Sequence, residues 1–149
     1  KREKFDLSET LENLIHFFEE QNSNVSITSS IQKNVMLLGL PDRIARVFIN
    51  LIENAISFAG DNGEVCITLK KSWRNGLIIT IEDSGPGVPE TCRADIFERF
   101  FSARQGAAMR ENSSGLGLYI CKQVLEAHEG IIEVSSSSAL GGALFSIRF

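Results

Sequence analysis

The segment Glu64-Val65-Cys66-Ile67-Thr68-Leu69-Lys70-Lys71-Ser72-Trp73-Arg74-Asn75-Gly76-Leu77-Ile78-Ile79-Thr80-Ile81-Glu82-Asp83-Ser84-Gly85-Pro86-Gly87 carries the clearest structural signal in the chain. Val65–Lys70 and Leu77–Ile81 are rich in β-branched residues, and the Asn75-Gly76 pair between them is a strong hairpin signal. They read as two antiparallel strands, the second running into a carboxylate and a Gly-Pro-Gly turn. A carboxylate at a strand end accepts a hydrogen bond from an exocyclic amine such as that of adenine, and glycines let the backbone approach a flat ligand. A capping Asp in an ordinary turn is the competing reading.

Upstream, Leu7, Leu11, Leu14, Ile15, Phe17 and Phe18 recur at helical spacing to about Gln21, with Asp6 or Ser8 as N-cap. Val25–Thr28 and Val35–Leu38 alternate in the manner of paired strands. Pro41 suits a first helical turn, and an apolar stripe from Ile44 to Ala55 predicts a helix up to the Gly60-Asp61-Asn62-Gly63 turn. Downstream, the turn Ser84–Pro89 leads through a short helix into Ser102–Ser114, which has no period and reads as a long, mobile or functional loop. A helix is predicted from about Gly115 to His128, then strands at Ile131–Val134 and Ala143–Ile147, with Ser135–Ser138 as a flexible turn between them.

Composition sets the frame. The 149 residues are 43% apolar and 23% charged, as in one soluble globular domain spanning 1–149. Net charge is −4, and like charges gather in no run of five, so a broad nucleic-acid-binding face is not expected. Cys66, Cys92 and Cys121 are too widely spaced for a metal or redox motif and read as reduced packing residues. No apolar stretch approaches the ~20 residues of a membrane helix, and Lys1–Asp6 is no signal peptide. The expectation is a cytoplasmic domain without direct membrane contact, cut from something longer, since it opens in mid-pattern on charged residues and stops on the apolar run Leu144–Phe149.

Two further sites complete a pattern. Asn50 and Asn54 are one helical turn apart on the margin of the apolar stripe, where two carboxamides can line a pocket wall. A carboxamide oxygen is a neutral hard ligand suited to a Mg²⁺ that already carries triphosphate oxygens and water; a pair of surface asparagines is the plain alternative. In Ser113-Ser114-Gly115-Leu116-Gly117-Leu118-Tyr119-Ile120 a loop becomes a helix, and free N–H groups at a glycine-rich helix start make a phosphate site. The dinucleotide fingerprint is rejected because its third glycine and preceding strand are absent, and no Walker loop occurs. A metal ligand, a base reader and a phosphate cradle, in that order, describe an ATP pocket with a lid.

At this point the sequence resembles the ATP-binding catalytic domain of two-component sensor histidine kinases, in the superfamily shared with DNA gyrase, Hsp90 and MutL. Asn50–Ala55 resembles the N box, Asp83–Gly87 the G1 box, Ile96-Phe97-Glu98-Arg99-Phe100 the F box and Gly115–Leu118 the G2 box. Ala127-His128-Glu129-Gly130 and Gly142-Ala143-Leu144-Phe145 resemble later signatures, with Glu129 where a glycine is usual. The resemblance implies an α/β sandwich of the Bergerat type: a mixed sheet with helices on one face and a mobile ATP lid at about 101–116. It also implies that Asn54 binds Mg²⁺, that Asn50 supports the phosphate and metal site, and that Asp83 reads the adenine amine. Gly85 and Gly87 would shape the adenine side, and Gly115, Leu116, Gly117 and Leu118 the phosphate side. Phe97, Phe100 and Phe101 become candidate hinge or packing residues.

The hydrolysing and serine-directed members of the superfamily resemble one another in a glutamate at position 50. An amide cannot act as a general base, so the resemblance favours phosphoryl transfer to histidine, whose imidazole is itself a nucleophile. Where the family often has a basic residue this chain has Ser57, leaving Arg99, Arg104, Arg110 and Lys122 as candidates for the phosphate charge. Neither His16 nor His128 lies in an acceptor motif. The implied partners are a histidine-bearing dimerisation domain of the same kinase and a response regulator, with the parent an inner-membrane sensor. The alternatives are an ATPase or serine kinase of the superfamily and a catalytically silent interaction module.

Overall fold

The structure, a computed structural model, describes residues 1–99, 101 and 117–149. In chain order the elements are β1 (Glu3–Asp6), α1 (Leu7–Gln21), β2 (Ser26–Ile31), β3 (Met36–Gly39), α2 (Pro41–Ala59), β4 (Glu64–Lys71), β5 (Leu77–Asp83), α3 (Gly117–Ala127), β6 (Ile131–Ser136) and β7 (Ala143–Arg148). Single 3₁₀ turns lie at Trp73–Asn75, Glu90–Cys92 and Asp95–Phe97. The predicted loop at 102–114 falls outside the described residues.

A five-stranded mixed sheet in the order β2-β4-β5-β7-β6 forms one layer, and the three helices cover one of its faces. Alternation decides which residues enter the core. On β5, Leu77, Ile79 and Ile81 point at the helices and are buried, as do Val65, Ile67 and Leu69 on β4 and Phe145 and Ile147 on β7. Against them α2 lays Ile44, Val47, Phe48, Leu51, Ile52 and Ala55, all buried, as its spacing predicts. Asp6 is the N-cap of α1, its side chain accepting from the Glu9 N–H at 3.0 Å. Ser8 is buried instead, its hydroxyl donating to the Gln32 carbonyl (2.6 Å) and accepting from the Val35 N–H (2.9 Å).

Two expectations are corrected. The segments around Val25 and Val35 are strands, yet they do not pair with each other. β2 runs parallel to β4 (Ser26↔Glu64) and β3 runs antiparallel to β1 (Glu3↔Gly39), a short charged strand that composition does not reveal. A parallel pair needs a long crossover, and α2 with β3 supplies it; alternation shows that a strand exists without showing its partner. Ser135–Ser138 is no flexible turn. Ser135 and Ser136 belong to β6, and Ser137 is buried, its hydroxyl donating to Glu82 Oε1 at 2.7 Å and accepting from the Leu140 N–H at 2.9 Å.

His128 joins two helices. The Leu40 N–H, at the uncapped start of α2, donates to His128 Nε2 at 3.0 Å, so the ring proton sits on Nδ1 and goes to the Val124 carbonyl at 2.8 Å. A Cβ on Gly39 would lie 2.5 Å from the His128 ring. Gly39→Ala is therefore expected to push the ring off Leu40 and destabilise the domain by about 1–3 kcal/mol, measured as a lower urea midpoint at unchanged slope.

Candidate nucleotide site

The period of β5 carries past Ile81, so Asp83 falls on the inward face while Glu82 faces out. Asp83 is only 1% exposed. Its Oδ1 accepts from the N–H groups of Gly85 (2.9 Å) and Ala143 (3.3 Å), whereas Oδ2 is buried with no hydrogen-bond partner among the described residues. Burial pushes the carboxyl pKa above its ordinary value, and the two N–H contacts oppose this only in part. An unsatisfied buried oxygen that carries charge is costly, so a donor supplied by a ligand has much to offset.

The walls around it are backbone. A Cβ on Gly85 would lie 2.5 Å from the Phe58 carbonyl oxygen, so the end of α2 presses on the Asp83 turn. A Cβ on Gly142 would lie 2.3 Å from the Asp83 carbonyl oxygen and 2.4 Å from Oδ1. Gly87 has φ +80°, which favours glycine. Ser84 ties the turn to β4, its N–H donating to the Glu64 carbonyl and its hydroxyl accepting from the Glu64 N–H. Gly142 and Ala143 are thus site residues in their own right, and the Gly141-Gly142 pair before a strand is the sequence signal that marks them.

Asn50 and Asn54 are both half-buried on α2, as placed by their spacing, and Glu53 is exposed. The Asn50 Nδ2 donates to Cys121 Sγ at 3.8 Å, and the carboxamide of Asn54 has no partner among the described residues. Of the other predicted site residues, Gly117 and Leu118 open α3, while Gly115 and Leu116 lie outside the described residues. Phe97 and Phe101 are buried core; Phe97 meets Phe145 edge-to-face at 6.3 Å, and Phe100 is outside the described residues. Arg99 stands over the Tyr119 ring at 5.6 Å and Lys122 over Phe97 at 5.8 Å. Both line a groove of about 440 Å³ along α3 whose walls include neither asparagine nor Asp83. Arg104 and Arg110 lie outside the described residues.

Residues 39–149, which contain every one of these groups, match the family described as histidine kinase-, DNA gyrase B- and HSP90-like ATPase. The chain belongs to this family. Among its relatives, the sensor histidine kinase TmoS of Ectopseudomonas mendocina is 35% identical over 128 residues, covering 86% of this chain and 13% of TmoS. The mycobacterial sensor histidine kinase MprB has the same fold at 26% identity, with a TM-score of 0.87 over 100% of this chain and 97% of that one. Histidine kinase ThkA, solved in complex with response regulator protein TrrA, matches at 26% identity and a TM-score of 0.82, covering 99% of this chain and 41% of that one. The histidine kinase-type ATPase domain described here thus spans about an eighth of the length of TmoS. Among its described residues no helix is long and apolar enough to cross a membrane.

Proposed function

We propose that this histidine kinase-type domain binds Mg·ATP beside α2, the Asp83 turn and the start of α3, and donates the γ-phosphoryl group to a histidine on a separate dimerisation domain. The observation that carries the reading is Asp83 Oδ2, a buried acceptor with no donor among the described residues, which an adenine amine would satisfy. A Cβ on Gly85 or Gly142 would crowd the other carboxylate oxygen, Oδ1, at 3.0 and 2.4 Å, so both positions need glycine for the Asp83 carboxyl to keep its place. A Cβ on Gly117 would meet nothing within 4 Å among the described residues, so their packing demands no glycine there, and the close approach of a phosphate would use one.

Asn54, whose carboxamide has no partner among the described residues, is the metal ligand in this reading, and Asn50 supports the phosphate and metal site beside it, with Gly115, Leu116, Gly117 and Leu118 on the phosphate side. Bound Mg²⁺ supplies neutralisation of the phosphate charge. Neither asparagine can take a proton from water, and Glu53 faces solvent, which supports transfer to an imidazole over hydrolysis. His128 is buried with both ring nitrogens engaged, and the exposed His16 side chain on α1 faces Glu20 at 3.3 Å, so the acceptor is assigned to another domain. The lid at about 101–116, the single domain 1–149, the response regulator as downstream partner and a parent sensor at the inner membrane belong to the same reading.

Calorimetric titration with Mg·ATP, Mg·ADP and Mg·GTP tests the pocket, and labelled ATP with an added histidine domain tests the transfer. The expected results are adenine-selective binding, acid-labile phosphate on the added domain, and none in stoichiometric amount on this chain alone. No binding by the folded domain would refute the reading, and steady-state turnover like that of a dedicated ATPase would replace it with hydrolysis. Asn54→Ala should weaken the Mg²⁺-dependent part of ATP affinity about tenfold and leave binding in EDTA nearly unchanged.

A further inference from the structure

Cys121 is fully buried at the second turn of α3, where it faces α2. Its contacts are specific. The thiol donates its one proton to the Val47 carbonyl oxygen at 3.7 Å, and the Asn50 side chain stands 3.8 Å from the sulfur. A thiol whose proton is already committed can only accept from a second partner. The atom that Asn50 turns toward Cys121 must then be its donor, Nδ2, and Oδ1 is left on the other side of the amide. An asparagine can present either end to a pocket; here the sulfur removes the choice.

We propose that Cys121 is a positioning residue that locks the Asn50 carboxamide with its oxygen toward the nucleotide, making Asn50 an oxygen donor for the Mg²⁺ side of the site and not an N–H donor to phosphate. The inference rests on the proposed Mg·ATP function and adds to it which end of the amide is offered. The thiol itself is no reactive group: burial raises its pKa to about 11, so thiolate chemistry is not what this cysteine contributes. Removing the acceptor frees the amide to rotate, and the oxygen then faces the metal for only part of the time.

The test uses the domain with Cys121→Val, which removes the acceptor, and Cys121→Ser, which restores one. In ¹⁵N-edited NMR of the nucleotide- and metal-free wild type, the Asn50 side-chain NH₂ protons should show contacts to the Cys121 β-protons. In nucleotide titrations at varied Mg²⁺, Cys121→Val should raise the half-saturating Mg²⁺ concentration about tenfold, the low end for loss of a ligand's supporting hydrogen bond. Affinity in EDTA should stay within about twofold of wild type, and Cys121→Ser should recover most of the Mg²⁺ response. The proposal is overturned by a Cys121→Val domain with the wild-type Mg²⁺ requirement, by a Cys121→Ser domain as impaired as the valine variant, or by parallel losses with and without Mg²⁺. It is also overturned by Asn50 NH₂ protons with no contact to Cys121. A wild-type domain that binds no nucleotide refutes the proposed function instead, and the NMR contact alone then decides the orientation.

Discussion

Asp83→Asn should abolish adenine-selective binding while leaving the nucleotide-free domain folded. The asparagine keeps an oxygen where Oδ1 accepts from Gly85 and Ala143, which places its NH₂ at the buried position that Oδ2 leaves without a partner. Two donors then meet where an amine was to find an acceptor. Loss of a hydrogen bond to a charged group, with a buried donor left unpaired, is worth about 2–4 kcal/mol, or about 30- to 1,000-fold in Kd. Guanine carries a carbonyl where adenine carries its amine, so the ATP-to-GTP preference should narrow or invert. An unchanged ATP affinity would remove Asp83 from the site.

The same substitution has a pH signature with a definite sign. Burial raises the Asp83 pKa above the unfolded value of 3.8, so the folded chain holds this proton more tightly than the unfolded one. Its contribution to stability is therefore fully present below the unfolded pKa and lost as pH rises through the raised folded value. Asp83→Asn has no such loss, so its thermal midpoint relative to wild type should climb between acid and mildly alkaline pH. Wild-type Mg·ATP affinity should move the other way, weakening in acid as the acceptor becomes protonated. Paired melting curves and titrations across pH read both, and parallel curves would show that the carboxyl is not perturbed.

Gly142→Ala should damage the site from behind. Its Cβ would lie 2.3 Å from the Asp83 carbonyl oxygen, 2.4 Å from Oδ1 and 2.6 Å from the Gly85 nitrogen, and two of those atoms are backbone that cannot rotate away. Relief requires β7 to separate from the Asp83 turn. That breaks the Gly142 N–H bond to the Asp83 carbonyl (3.0 Å) and strains the Ala143 contact to Oδ1. The expected loss is about 2–4 kcal/mol, or about 5–15 °C in Tm, with nucleotide binding lost as well. Gly141→Ala is the control: its φ of +91° strains any side chain, yet no described residue would lie within 4 Å of the added Cβ, so it should cost about 1 kcal/mol and spare binding. Equal effects at the two glycines would show that backbone strain, and not the approach to Asp83, sets the requirement.

Some of this was legible in the chain because the signals are local. Helical spacing gave α2 from Pro41 and the side on which Asn50 and Asn54 lie, and period-two alternation gave β4 and β5 with an Asp at the strand's end. The motif order gave the family. Other features depend on residues far apart in sequence. Alternation cannot choose a partner, so β2 pairs with β4 and β3 with β1 against the simplest reading of adjacent strands. The hairpin was marked by Asn75-Gly76, yet the left-handed residues in the turn are Arg74 (φ 62°) and Asn75 (φ 64°).

The sequence by itself determined the elements, the core stripe and the set of polar residues offered to a ligand, because periodicity and turn chemistry act over a few residues. Tertiary structure decided what those polar residues are free to do. Packing β7 against β5 brings Gly142 and Ala143 onto Asp83, satisfying one oxygen and stranding the other. Packing α3 against α2 brings Cys121 to Asn50 across 71 positions of chain. Hydrogen-bond satisfaction depends on distance in space, and no local pattern of residues encodes it.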